Sequence, residues 1–117
     1  MTTAYLIVES QITDPEAFDR YKASAPEAVA AFGGKYLVRG GRIGVLEGDW
    51  QPTRLTVLQF PSFEQARAMY DSPAYAHARS LRVGAAAVFN MVLAEGVDAP
   101  PSLASSSSTP PLSQGQE

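Results

Sequence analysis

The order of two hydrophobic patterns constrains the fold of this chain most. Runs of β-branched and aliphatic residues, typical of strands, occupy residues 4–9, 35–39, 54–60 and 88–95. Between the first and second runs, and between the third and fourth, apolar residues recur at helical spacing instead. The sequence therefore predicts the element order β-α-β-β-α-β, which consists of two successive βαβ units.

Proline and capping residues predict where the helices begin and break. Asp14 can accept hydrogen bonds from free amides at the start of the first helix, and Pro15 suits its first position. Pro26 predicts a break and restart inside this helix, because proline removes a helical hydrogen bond. Ser72 and Pro73 predict a similar restart in the second helical stretch, which is expected to run to about residue 87.

Right-handed crossovers place both helices on one face of a four-stranded antiparallel sheet. This arrangement is an α+β, ferredoxin-like βαββαβ fold. Apolar residues occur at both alternating sets of strand positions, although only one face carries helices. An uncovered apolar face tends to pair with another surface, and the simplest partner is the same face of a second copy. We therefore expect a homodimer.

The composition changes abruptly at residue 98. The segment from there to residue 117 contains two Pro-Pro pairs and a run of four serines, and it has few apolar residues. Such a segment does not form a packed core. The sequence therefore predicts one domain over residues 1–97 and a disordered Ser/Pro-rich tail over residues 98–117.

Charge and cysteine content argue against several functions. Nine basic and 12 acidic residues give a net charge of −3, which disfavours nucleic-acid binding. The absence of cysteine excludes disulfides, thiolate catalysis and cysteine-based metal sites, and a lone histidine has no second imidazole beside it. No apolar run approaches the roughly 18 residues of a membrane span, and no signal peptide is recognisable. We expect a cytoplasmic protein without metal, cofactor, nucleic-acid or membrane partners.

Several motifs together resemble one bacterial family. They are residues 14–16 (DPE), 33–41 (GGKYLVRGG), 46–50 (LEGDW), 60–62 (FPS) and 70–75 (YDSPAY), followed by Arg82. This set is similar to the domain-of-unknown-function 1330 (DUF1330) proteins over residues 3 to 97. The resemblance implies a dimeric α+β barrel, the architecture of small cofactor-free monooxygenases, muconolactone isomerase, olivetolic-acid-type cyclases, chlorite dismutases and stress-response barrel proteins. It supplies no catalytic residues.

In such barrels a pocket lies between the helices and the sheet. His77 is one candidate catalytic residue there, because only its side chain has an unperturbed pKa near neutrality. The alternative is a solvated surface histidine. Tyr21 is the second candidate, since its hydroxyl can donate to a carbonyl or an oxyanion. Trp50 is a candidate for covering the pocket or for anchoring a dimer contact.

Arg39 and Arg82 are candidate ligand-binding residues. A guanidinium beside an apolar cleft suits carboxylate or phenolate recognition, and the alternative is an internal salt bridge. Helical spacing places His77 and Arg82 on opposite shoulders of one apolar stripe. Tyr36, Tyr70 and Tyr75 are candidates for lining the pocket, and the alternative is a core position with one satisfied hydroxyl.

The family resemblance and these residues predict a small cofactor-free enzyme. It would act by proton transfer on a small, partly aromatic or polyketide-like molecule, through cyclisation, isomerisation or oxygenation. The alternative is a non-catalytic homodimer that binds a small ligand or has a structural role. A haem protein with His77 as the axial ligand is a weaker third hypothesis, because the histidine is alone and the domain is small.

Overall fold

The computed structural model describes residues 2–97. The elements are β1 (Ala4–Ile12), α1 (Pro15–Ala31), β2 (Lys35–Arg39), β3 (Leu55–Phe60), α2 (Phe63–Asp71), α3 (Pro73–Ser80) and β4 (Ala86–Glu95). This order confirms the predicted β-α-β-β-α-β pattern, with the second helical stretch divided into α2 and α3. The tail predicted over residues 98–117 lies outside the described residues.

The four strands form one antiparallel sheet in the order β2-β3-β1-β4. Along β1, Leu6, Val8 and Ser10 are buried, whereas the residues between them are partly exposed. Leu6 and Val8 pack with residues of all three helices, including Val29 and Met69. The predicted ferredoxin-like α+β fold, with helices on one face of the sheet, is therefore confirmed.

The predicted break in the first helix is wrong, because α1 continues through Pro26. Proline at this position leaves the carbonyl of Lys22, one turn earlier, without its helical hydrogen bond. Nη2 of Arg39 on β2 donates to that carbonyl at 2.9 Å. This tertiary bond replaces the missing one, which explains how the helix tolerates the proline.

Ser72 separates α2 from α3, as predicted. Its Oγ donates to the Met69 carbonyl at 2.7 Å and accepts from the Tyr75 amide at 3.2 Å, so one side chain caps both helices. The expectation that the helix runs to residue 87 is wrong, since α3 ends at Ser80 and β4 begins at Ala86. Gly84 adopts a φ of +78° in the intervening turn, a conformation that glycine reaches without strain.

The segment between β2 and β3 contains no strand in the structure. It carries exposed apolar side chains, among them Val45, Leu46 and Trp50. Nε1 of Trp50 donates to Oε2 of Glu9 at 3.0 Å. Since Glu9 alternates with the helix-facing residues of β1, this bond places Trp50 beside the uncovered face of the sheet.

An apolar row crosses the uncovered face. Strand register aligns Val38, Val57, Ile7 and Val92 side by side across all four strands. Val92 is 59% exposed and Val38 is 40% exposed. No helix within residues 2–97 is long and apolar enough to cross a membrane.

Candidate functional site

One cleft lies between α1, α3 and the helix-covered face of the sheet; we call it the main cleft. It encloses about 460 Å³ of empty space, open solvent at its mouth included, and most of that space is too narrow for a water molecule. The cleft is therefore narrow. Its aromatic lining consists of Phe18, Tyr21, Tyr36, Tyr75 and Phe89.

Aromatic contacts fix the inner end of the cleft. The ring of Tyr21 lies 6.2 Å from that of Tyr75 and 6.1 Å from that of Phe89, in both cases edge to face. Phe18 adds a tilted contact with Tyr21 at 5.4 Å. Such pairs hold their rings in defined orientations. The hydroxyl groups of the two tyrosines are therefore placed by packing from α1, α3 and β4.

Two tyrosine hydroxyls form a hydrogen-bonded pair at this end. The oxygens of Tyr21 and Tyr75 are 2.7 Å apart, and Nη2 of Arg82 lies 3.4 Å from the Tyr75 oxygen. Either hydroxyl of the pair can be the donor, and the Tyr75 oxygen has lone pairs enough to accept from both Arg82 and Tyr21. Where Tyr75 donates to Tyr21, the resulting chain strengthens each donor along it.

Arg82 stands behind the aromatic wall, in the turn after α3 rather than on a helix. Its guanidinium carbon lies 3.7 Å from the ring centre of Phe89 and 5.2 Å from that of Tyr21. Its Nε is buried without a hydrogen-bond partner. Ion pairs within residues 2–97 do not include it, so the internal salt bridge considered as an alternative is absent from the described part of the chain.

The environment keeps Tyr21 protonated. Burial raises the pKa of its hydroxyl above the ordinary value, and the neighbouring Tyr75 raises it further, while Arg82 acts in the opposite direction. Burial also raises the pKa of Tyr36, against a smaller lowering by Arg39. At neutral pH both groups are therefore hydrogen-bond donors rather than bases.

Two further arginines lie at the mouth of the main cleft. The guanidinium carbon of Arg39 is 4.4 Å from the ring centre of Tyr36, and that of Arg54 is 5.7 Å from that of Phe18. Arg54 is not among the site residues predicted from the sequence. It precedes β3 in phase with Leu58 and Phe60, and this two-residue period would have placed it on the helix-covered face.

Three predicted site residues do not reach the main cleft. His77 lies exposed on α3, and the described lining does not contain it. Trp50 lies beside the opposite face of the sheet, through its bond to Glu9. Tyr70 lines a separate groove between α2 and β4, with its ring 5.5 Å from that of Tyr75. Tyr21, Tyr36, Tyr75 and Arg39 line the cleft, and Arg82 contacts its aromatic wall without lining it.

The charged groups of the main cleft are all cationic. Lys22, Arg39 and Arg54 line it, whereas no carboxylate or imidazole does so among the described residues. Within the same range, no group of three or more potential metal ligands is close enough to hold an ion. The cleft is therefore suited to stabilise negative charge on oxygen, through cations and neutral phenol donors.

The fold has several known counterparts. A protein of unknown function from Rhodopseudomonas palustris is 17% identical, with a TM-score of 0.66 over 84% of this chain and 85% of the other. A dimeric ferredoxin-like protein of unknown function from Thermobifida fusca is 16% identical, with a TM-score of 0.53 over 79% and 89%. SnoaB, a cofactor-independent oxygenase from Streptomyces nogalater, is 11% identical, with a TM-score of 0.55 over 86% and 97%.

At these identities the likenesses show the fold alone. A search among curated proteins finds no sequence match. The family model for the domain of unknown function DUF1330 matches residues 3–97, which include every strand and helix described above. The chain therefore belongs to the DUF1330 family.

Proposed function

We propose that the main cleft binds a small, partly aromatic or polyketide-like molecule and acts on it by proton transfer without a cofactor. The observation that carries the proposal is the Tyr21–Tyr75 hydroxyl pair backed by the unpaired Arg82. Aromatic walls favour a flat, partly apolar ligand. With Tyr75 donating to Tyr21, the hydroxyl of Tyr21 is left to donate to this ligand.

The reacting group of the ligand is one that forms an enolate or a phenolate. Because no carboxylate or imidazole lines the described cleft, the acidity comes from the ligand itself. A 1,3-dicarbonyl compound loses a carbon-bound proton to solvent, and its electron pair moves to oxygen. Tyr21 donates a hydrogen bond to that oxygen, while Arg82 stabilises the negative charge through Tyr75.

The resulting anion leads to each of the three reaction types. Protonation at another carbon gives isomerisation, attack on a carbonyl within the same molecule gives cyclisation, and addition of dioxygen gives oxygenation. The similarity to SnoaB, described as a cofactor-independent oxygenase, favours such chemistry only by analogy of fold. The site itself carries the argument.

A non-catalytic ligand-binding or structural homodimer is the second candidate function. The narrowness of the main cleft favours it, because little of the empty volume admits even a water molecule. The exposed apolar row of Val38, Val57, Ile7 and Val92 supports the homodimer in either case. A second copy of the same face would remove these side chains from water.

Hydrogen–deuterium exchange of an enolisable aromatic ketone separates the two candidates. Benzoylacetone in D₂O should exchange its central protons faster with the protein than without it, and Tyr21→Phe should lose most of that acceleration. Binding without acceleration would establish the non-catalytic alternative. Absence of both binding and acceleration, across several aromatic 1,3-dicarbonyl compounds, would overturn the proposal.

A further inference from the structure

Three cations surround the mouth of the main cleft. Lys22, Arg39 and Arg54 line both the cleft and the open depression outside it, which is completed by Asp19 and Ala23. A ligand that enters from this side passes all three side chains. We call this group the cationic mouth.

Arg39 is held in place from two sides. Nη2 donates to the Lys22 carbonyl at 2.9 Å, the carbonyl that Pro26 leaves without a helical partner. The guanidinium also lies over the ring of Tyr36, with 4.4 Å between its carbon and the ring centre. The bond to the carbonyl uses one nitrogen, so the remaining donors are free to bind another acceptor.

Arg54 extends into the space beside Gly40. A Cβ added to Gly40 would clash with Nη1 of Arg54, so a larger residue would displace the guanidinium. Gly40 also has a φ of +74°, and its amide donates to the Leu55 carbonyl at 3.0 Å. On another side, the ring centre of Phe18 lies 5.7 Å away. Nε of Arg54 is buried without a partner.

The positive charge of the two arginines in the cationic mouth is not neutralised by a carboxylate within residues 2–97, whereas Lys22 pairs with Asp19. Asp19 lies 3.9 Å from Nζ of Lys22, and its own side chain is 72% exposed. Within residues 2–97, neither Arg39 nor Arg54 pairs with a carboxylate. Two guanidinium groups are thus fixed beside an aromatic cleft in a chain of net charge −3. Fixed guanidinium forks match the two oxygens of a carboxylate.

We propose that the cationic mouth is a carboxylate-binding subsite, so that the ligand of the main cleft is an organic acid. Its carboxylate lies between Arg39 and Arg54, and its enolic or phenolic oxygen reaches Tyr21. The inference rests on the proposed function for the occupant of the inner end. It adds the acid group and the two residues that select for it.

A matched pair of ligands tests the subsite. Isothermal titration of the full chain with 2,4-dihydroxybenzoate and with its methyl ester compares a carboxylate with a neutral group of similar shape. The acid should bind at least roughly tenfold more tightly, as expected for charge-assisted hydrogen bonds. Arg54→Gln should reduce the affinity for the acid to that for the ester, and leave the ester unchanged.

Arg67→Gln is the control variant, because Arg67 pairs with Asp71 and does not line the main cleft. It should keep the preference for the acid. Equal affinities of acid and ester in the unmodified chain would refute the subsite and leave the proposed function standing. A preference for the acid that survives Arg54→Gln would refute the assignment to Arg54. Binding of neither compound would overturn the subsite together with the proposed function. The comparison of acid and ester uses the unmodified chain, so it does not depend on the folding of a variant.

Discussion

Arg82 is a charge packed among aromatic rings, beside the hydroxyls of Tyr75 and Tyr21. Arg82→Met keeps most of the packing volume and removes a partly desolvated charge that has no carboxylate partner within residues 2–97. We expect the free energy of unfolding to change by less than about 1 kcal/mol or to rise. Binding of benzoylacetone should weaken. Urea denaturation and isothermal titration measure the two effects.

A loss of roughly 3–5 kcal/mol in the same variant would contradict this account. Such a loss is typical when one partner of a buried ion pair is removed. It would mean that Arg82 neutralises a carboxylate, and that its charge has a structural rather than a functional role. Arg67→Met is a suitable comparison, since Arg67 pairs with Asp71 and does not line the main cleft.

Tyr21 should make stability depend on pH in the alkaline range. Burial raises the pKa of Tyr21 in the folded protein above the value of an exposed tyrosine, which is about 10. The unfolded chain therefore releases this proton first, and the free energy of unfolding falls as the pH rises above about 10. Below that range the contribution of Tyr21 is fully present.

Tyr21→Phe removes this titration and leaves Tyr75 and Arg82 in place. The variant should be less stable at neutral pH by about 1 kcal/mol, the usual worth of a hydrogen bond. Urea denaturation at several pH values between about 8 and 11 should show the unmodified chain losing stability faster than the variant. Equal slopes for both proteins would mean that Tyr21 titrates as an exposed tyrosine does.

Residue positions were predictable where a regular period extends to them. Tyr21 and Tyr75 lie in the cleft on helical faces, whereas Arg39, three residues after Tyr36, shares its face only because a register shift between Tyr36 and Val38 interrupts the strand period. His77 has the right chemistry but lies on the exposed side of α3, since Tyr75 and Ala78 are the buried residues of that short helix. The chemistry of the imidazole does not indicate on which face of the helix the residue lies.

At the scale of elements, Pro26 tests how α1 is stabilised. Pro26→Ala supplies the amide that the Lys22 carbonyl lacks, and it removes the clash of the proline ring with the preceding turn. We expect the free energy of unfolding to rise by roughly 1–2 kcal/mol, since the loss of proline rigidity in the unfolded chain offsets part of the gain. Chemical denaturation measures the change.

Glu27→Ala is the control for Pro26→Ala, because Glu27 is the exposed neighbour in the same turn. It should change the stability little. A lower stability of Pro26→Ala than of the unmodified chain would mean that the bond from Arg39 to Lys22 fully compensates for the proline. The backbone amide of Ala at position 26 would then add no stability to the helix.

Element order was predictable from local signals, and element ends were less so. Ser72 marks the junction of α2 and α3 because its capping depends on adjacent residues alone. The continuity of α1 through Pro26 depends on Arg39, which is distant along the sequence. The end of α3 depends on a turn in which Ala85 accepts hydrogen bonds from the amides of Thr13 and Asp14. Tertiary bonds of this kind leave no local pattern.

At the scale of the whole molecule, the two faces of the sheet have different roles. One face forms the main cleft with the helices, and the other exposes the apolar row of Val38, Val57, Ile7 and Val92. We expect the protein to form a homodimer through this second face, with twice the mass of one chain in multi-angle light scattering. Val57→Glu places a charge within the row and should give the monomer mass.

Val83→Glu is the matched control for the dimer. Val83 is 80% exposed and lies in the turn after α3, away from the apolar row. This variant should keep the mass of the unmodified chain. A monomer mass for the unmodified chain, or a dimer that persists in Val57→Glu, would mean that the apolar row is not the contact surface.

The central claim is that the main cleft stabilises a ligand anion, and the ionisation of a bound ligand tests it most directly. The ultraviolet absorbance of benzoylacetone distinguishes its neutral form from its enolate, so the pKa of the bound compound is measurable by titration with excess protein. The pKa of bound benzoylacetone should be lower than that of the free compound, and Arg82→Met should reduce the difference. A bound pKa that equals or exceeds that of the free compound would contradict the claim.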